Sequence, residues 1–291
     1  GLIIILSSLA ITQLVLNALQ AALGLGGSSS SGDAVEMIDP FSTALGAGSI
    51  NWHYPRRNAQ DVPRNTNLSV AFREAIDPGS LMDGYADDPA AVLPLKEGSV
   101  FIYPTDAGRA GAIDAATIQM AMTPDQTTFV FNPDAYLGSA SADTGYTVEL
   151  TPDITLATGA SAFTGAFGDG YIWRFTVSTE LDLTPQQIQS VIPLADSTVA
   201  RNILIQVNFN EAVDPTQASG FYPGVPPITN FANLSARDSA DAIIGGAWTA
   251  VNQSLTSEFV SNNACGINSC GETIYCLPSN EDISVTVVAA T

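Results

Sequence analysis

Carboxylates dominate the chemistry available to this chain. Asp and Glu total 29 against 9 Lys and Arg, a formal net charge of -20 over 291 residues. Four carboxylates recur in matched positions, Glu74 with Asp77 and Glu211 with Asp214, each set ending at a Pro. A further acidic loop carries Asp83, Asp87 and Asp88. Hard cations want several oxygen ligands, so calcium at a domain junction is one reading of these seven residues. The other is that Asp-Pro opens a turn and its carboxylate accepts backbone N–H bonds. The sequence favours the turn, because the acidic loop lacks the ordered spacing of a dedicated calcium loop.

Little else in the inventory can catalyse. His53 is the only His and Lys96 the only Lys. No Gly-x-Ser-x-Gly elbow and no Gly-x-x-x-x-Gly-Lys phosphate loop occurs, so nothing supplies a nucleophile with its base. The expectation is a protein that is not an enzyme and takes no cofactor beyond a possible calcium ion. A surface this acidic repels phosphate backbones, which excludes nucleic acid as a partner. Cys265, Cys270 and Cys276 fall within twelve residues. In an exported chain, two of the three form one local disulfide and one thiol is left over; a zinc site would lack its fourth ligand. Asn67, Asn233 and Asn252 begin Asn-x-Ser sequons and are glycan acceptor candidates. Asn67 falls inside a predicted strand. His53, in Asn51-Trp-His-Tyr-Pro55, reads as a hinge packed by Trp52 and Tyr54.

Residues 1–27 carry no charged side chain. With Gly1 first, the expectation is a processed, exported subunit that keeps its apolar N-terminus after a basic leader is removed. The segment reads as a helix over 1–25 that Gly24, Gly26 and Gly27 stop. At 1.5 Å per residue it would run about 37 Å. Leu2, Ile5, Leu9 and Leu16 belong to its apolar surface, and Thr12, Gln13, Asn17 and Gln20 to a polar stripe. The Ser28–Gly32 run is a flexible linker, and residues 28–53 connect the helix to the β-rich remainder of the chain.

From Tyr54 onward short alternating segments stand between Pro, Gly, Asp and Asn clusters. Asn67–Phe72, Thr127–Phe131, Tyr146–Leu150 and Tyr171–Val177 are predicted strands of a β-sandwich or barrel. Val62–Pro78 aligns with Val199–Pro215 at an offset of 137, with nine of 17 positions identical. The repeat implies two domains, 54–180 and 181–291. The same offset carries Tyr146–Leu150 onto Ile283–Val287, but it carries Trp173–Val177 beyond residue 291, so the second copy is expected to lack the last strand of the first.

The repeated Asn-x-x-Leu/Ile-x-Val-x-Phe-x-Glu-Ala-Val/Ile-Asp-Pro stretch (Asn65–Pro78 and Asn202–Pro215), with Thr127–Pro133, Tyr146–Leu150 and Trp173–Val177, resembles the bacterial Ig-like domain family of S-layer and other surface proteins. That implies a mainly β chain, an N-terminal helix before two Ig-like sandwiches, with a structural or adhesive role. The N-terminal pattern resembles type IV pilins and archaeal-type filament subunits, departing from the bacterial pattern at Gly1 and Ile5, where an aromatic or Met and a Glu are usual. The resemblance implies an extracellular, cell-surface filament of identical subunits, held in the membrane before assembly. In such a polymer a strand from the next subunit could cover the open edge of the second domain. The alternative is a membrane-anchored adhesin or S-layer-type protein.

Overall fold

Strands succeed one another with few helical interruptions along the computed structural model, which describes residues 48–87, 92–222 and 233–288. The first domain contains β1 (Ile50–Tyr54), β2 (Leu68–Phe72), β3 (Leu93–Pro94), β4 (Val100–Pro104), β5 (Ile118–Met122), β6 (Thr128–Pro133), β7 (Thr144–Leu150) and β8 (Tyr171–Val177). The second contains β9 (Ile188–Ile192), β10 (Ile205–Phe209), the short helix α1 (Pro215–Ala218), β11 (Gly220–Tyr222), β12 (Leu234–Arg237), β13 (Gly246–Val251), β14 (Thr256–Ser261), β15 (Ala264–Ile267), β16 (Thr273–Tyr275) and β17 (Ser284–Val287). All belong to one unit, Phe41–Thr291. The predicted assembly helix (Leu2, Ile5, Leu9, Thr12, Gln13, Leu16, Asn17 and Gln20) lies outside the described residues, as does Asp88. Among the described residues no helix is long and apolar enough to cross a membrane.

Each domain opposes a five-stranded sheet to a smaller one, all pairs antiparallel. In the first, β1-β2-β6-β5-β3 faces β4-β7-β8. In the second, β11-β13-β14-β10-β9 faces β12-β17. The four strands predicted in the first domain are present. The duplication extends beyond the matched sequence: β1 pairs with β2 as β9 pairs with β10, Ile50 opposite Phe72 and Ile188 opposite Phe209. Ile50–Tyr54 therefore begins the first domain, although the sequence places most of it in the connector. Between β2 and β6 the starts lie 60 residues apart, and between β10 and β14 only 51. The deficit is made up after β14 by the β15–β16 hairpin, closed by a Cys265–Cys276 disulfide with Cys270 exposed near its turn.

Period-two patterning explains β8 directly. Tyr171, Trp173, Phe175 and Val177 are buried, while Ile172 and Arg174 are not. Gly170 launches the strand with φ +102°, and a Cβ there would lie 2.1 Å from the Leu150 carbonyl oxygen, so only Gly fits. In β2, by contrast, all five residues are buried despite their alternation. Leu68, Val70 and Phe72 enter the core. Ser69 and its neighbour Val130 on β6 face the second domain, where they lie near Pro215.

His53 corrects a sequence expectation. It is a buried core residue of β1, 8 % exposed, stacked on Trp173 at 4.3 Å between ring centroids and tilted against Tyr171. Trp52 and Tyr54 point the other way because successive side chains of a strand alternate. Nδ1 donates to the Pro55 carbonyl at 2.8 Å, leaving Nε2 to accept from the Tyr171 hydroxyl at 3.1 Å. Burial, which outweighs the Pro55 bond and is aided by nearby Arg57, lowers the imidazole to about 4 from 6.5. An unfolded chain binds this proton below 6.5 and the folded one only below about 4, so the stabilisation present above pH 6.5 is lost as pH falls through that window. We predict a loss of about 3 kcal/mol for the first domain from this group alone. Denaturation of wild type and His53→Phe at pH 7 and pH 4.5 checks this: the variant, which keeps the stack, should lose less stability on acidification.

Candidate functional site

The joint between the two domains is built from repeat residues. Asn65, exposed just before β2, clasps Asp182 in the interdomain connector between β8 and β9: its side-chain amide donates to the Asp182 carbonyl at 2.7 Å and its oxygen accepts from the Asp182 N–H at 2.9 Å. The neighbouring Arg64 N–H donates to the Glu180 carbonyl at 2.9 Å. Further along, Gln187 and Asn210 bond reciprocally, at 2.7 and 3.0 Å, and lead into β9. Across the joint the Arg56 guanidinium donates to the Gln253 side chain. Three consecutive residues there, Asn252, Gln253 and Ser254, hold positive φ in the β13–β14 turn.

Within the joint lies a cleft of about 200 Å³ lined by Tyr54, Asn65, Asp182, Thr184, Glu211 and Asp214, among others. Asp182 is fixed first by its neighbour: Thr184 donates its hydroxyl at 2.6 Å and its N–H at 2.9 Å to one carboxylate oxygen. These bonds, with a further one from Glu211, hold the Asp182 carboxyl below its ordinary value. Glu211 moves oppositely. Burial raises its pKa first, then the hydrogen bond to Asp182 and the charge on it. Its Oε1 is enclosed and has no hydrogen-bond partner. Tyr54 is raised too, chiefly by burial and then by Glu211 and Asp182, against the counter-effect of Arg56. The cleft is thus an acidic joint in which Glu211 gives up its proton less readily than a free carboxyl.

Two of the four repeated acids, Asp77 and Asp214, make the backbone bonds of the turn reading. Asp77 Oδ1 accepts from the Gly79 N–H at 3.1 Å, capping the turn Pro78–Ser80. Asp214 Oδ1 accepts from the Thr216 N–H at 2.8 Å and its hydroxyl at 2.7 Å, capping α1. Glu74, Asp77, Asp83 and Asp87 are exposed. Among the described residues no three groups of the metal-binding types gather. Glu211 meets Asp182, a residue the sequence did not single out; the Asp182-Leu-Thr184 pattern was its only local signal. Asn67 precedes β2 and is exposed, so it is not in the strand. Asn233 is half-buried and donates to the Gln217 side chain at 2.9 Å. Asn252 is exposed, while Ser254 of its sequon is 1 % exposed.

The repeated Arg was also missed as a structural residue. Arg64 Nε donates to the Leu137 carbonyl at 3.0 Å while the Leu137 N–H returns a bond of 2.8 Å to Arg64. Arg201 does the same with Leu277, at 2.9 and 2.7 Å. Each Arg thereby holds a buried Leu from a distant loop onto its own core.

Residues 46–177 match the family model of the bacterial Ig-like domain. No curated protein matches the chain. Among solved structures, surface layer protein SbsC (domains 1–6) is similar at 10 % identity and TM-score 0.30, over 82 % of this chain and 32 % of that one. The N-terminal part of the bacterial S-layer protein SbsC gives 10 % identity and TM-score 0.27, over 80 % and 43 %. An L,D-transpeptidase from Mycobacterium smegmatis gives 11 % identity and TM-score 0.23, over 69 % and 73 %. The chain thus spans less than half of either SbsC structure.

The raised Glu211 carboxyl yields a pH test of the joint. Glu211 has a raised folded value, so what it contributes is present below its ordinary 4.5 and is lost as pH rises through that raised value. Glu211→Gln supplies a permanent donor to Asp182 and no charge. It should melt at or below the wild-type temperature at pH 4 and above it at pH 8, by a few tenths of a kcal/mol. Melting curves of both proteins at the two pH values measure it.

Proposed function

We propose that the chain is a structural protein of the cell surface, in which two tandem Ig-like sandwiches serve as a spacer or adhesive unit outside the cell. The observation that carries this reading is the joint. A duplicated sandwich clasped through Asn65 and Asp182 holds two domains in fixed relation, which suits a load-bearing spacer. The Cys265–Cys276 disulfide supports an oxidising compartment, and a charge of -20 suits a soluble outer surface. No catalysis, cofactor or nucleic-acid partner is part of the proposal: the one His is consumed in the core as a neutral, stacked ring. Cys270 is exposed and unpaired, which provides the test. A membrane-impermeant maleimide should label one thiol per chain on intact cells. Labelling that appears only after lysis contradicts the proposal.

The finer reading is a filament of identical subunits, joined through residues 1–27 and stored in the membrane before assembly. What favours it over a single anchor is the uncharged segment's polar stripe, Thr12, Gln13, Asn17 and Gln20. Such residues are costly against lipid and find partners in a helix bundle. Electron microscopy of cell-surface material should show fibres that Leu9→Lys abolishes. Detergent-soluble monomers without fibres favour the anchored S-layer-type or adhesin form instead.

A further inference from the structure

A pocket of about 300 Å³ lies on the first domain, between the turn before β2 and the loop after β6. Its lining includes Arg64, Asn65, Asn67, Asn132, Asp134 and Tyr136. Two of these are committed elsewhere. Asn65 clasps Asp182, and the Arg64 Nε holds the Leu137 carbonyl. The other four are exposed. Among the described residues, the amides of Asn67 and Asn132 and the Tyr136 hydroxyl find no acceptor within the chain. Tyr136 is 61 % exposed, a large ring left outside the core.

The second domain keeps the brace beside this pocket and changes the lining. Arg201 holds Leu277 as Arg64 holds Leu137. At the offset of 137, Leu204 stands where Asn67 stands. Phe131 lies opposite Leu68 as Phe259 lies opposite Ile205, so Val260 of β14 stands where Asn132 of β6 stands. The short loop that carries Asp134 and Tyr136 gives way to the cysteine hairpin. The brace therefore forms without these polar groups, and the sandwich does not need them to fold. What they share is the pocket they line.

We infer that this pocket is a binding site for a neutral saccharide, with one sugar ring against Tyr136 and its hydroxyls bonded to Asn67, Asn132 and Asp134. The donor and acceptor types select that class. A carboxamide donates and accepts, a carboxylate accepts, and a sugar hydroxyl does both. An exposed aromatic ring offers an apolar face with a polar tip, which suits a ring whose C–H face is apolar and whose rim is hydroxylated. A few placed polar groups then fix orientation. Charge narrows the class further. Arg64 repels a cationic ligand, and Asp134 with the chain's net -20 repels an anionic one. The inference supplies the adhesive form of the proposed function with a ligand and rests on that reading only for its setting. Binding by the purified chain reads the pocket and thiol labelling on cells reads location, so either can fail alone.

The test uses the whole chain produced without N-glycans, so that Asn67 is unmodified. Neutral trisaccharides of glucose, galactose, mannose and N-acetylglucosamine are each titrated to about 50 mM while NMR signals are followed. The expected result is that at least one of them shifts the Asn67 and Asn132 side-chain amides and the Tyr136 ring, saturably and together. Tyr136→Ala should weaken that binding about tenfold or more, and Tyr136→Phe, which keeps the ring, by less than about threefold. Asn132→Val, the residue that the second domain carries in this register, should weaken it about tenfold or more. Both side chains are exposed, so each variant should melt with the wild type, which separates lost binding from lost fold. Glucuronic acid and tetramethylammonium should leave the same signals in place. The inference is overturned if no trisaccharide moves these signals, if Tyr136→Ala and Asn132→Val bind as the wild type does, or if only the charged probes bind.

Discussion

An Ig-like sandwich closes when its smaller sheet is wide enough to cover the larger one, and in the first domain β8 provides that width. Trp173 is wholly buried and stacks on His53 from the opposite sheet. β8 is bonded at both edges, so it ties the segment after β1 to β7. Its placement dehydrates His53, covers Val62 and Val148, and leaves Val177 near the point where the connector begins. The connector is then caught by Arg64 and Asn65 on the turn before β2. Core closure and domain joint are therefore consecutive consequences of one strand.

The second domain repeats the frame with other fillings. α1 replaces a three-residue turn behind the same Asp-Pro cap, Trp248 replaces Met120, and a disulfide-closed hairpin replaces a plain loop. Its five-stranded sheet keeps the first domain's strand order, whereas its smaller sheet has two strands among the described residues where the first domain has three. The acidic joint sits between these unequal partners. Asp182, anchored by Thr184, and Glu211, partly enclosed, repel each other when both are ionised, which adds to the burial that raises Glu211.

Local grammar made much of this legible. The alternating apolar residues of β2, β6, β7 and β8 and the flanking turn residues sufficed for those strands, and the Asp-Pro dipeptides sufficed for both caps. The offset of 137 located β17 because a deletion before β14 and the cysteine hairpin after it cancel. What escaped depends on contacts distant in sequence. β1 resembles a hinge because its aromatic cluster ends in Pro55, and only Trp173, 120 residues later, makes His53 a core residue. β9, Ile188-Gln-Ser-Val-Ile192, does not alternate apolar with polar, and is identified as a strand by its register with β10. Glu211 and Asp182 are joined across the domain boundary, which no spacing rule reports. Residues 1–27 lie outside the described structure, so the filament reading still rests on their composition.

The most direct measurement compares equivalent strands within one molecule. Amide exchange at Thr147–Leu150 of β7 and at Ser284–Val287 of β17, followed together in the dilute chain, reports whether the second sandwich is open. The account predicts slow exchange in β7 and exchange at least tenfold faster in β17. Equal protection of the two strands would contradict it, because β17 would then be covered as β8 covers β7.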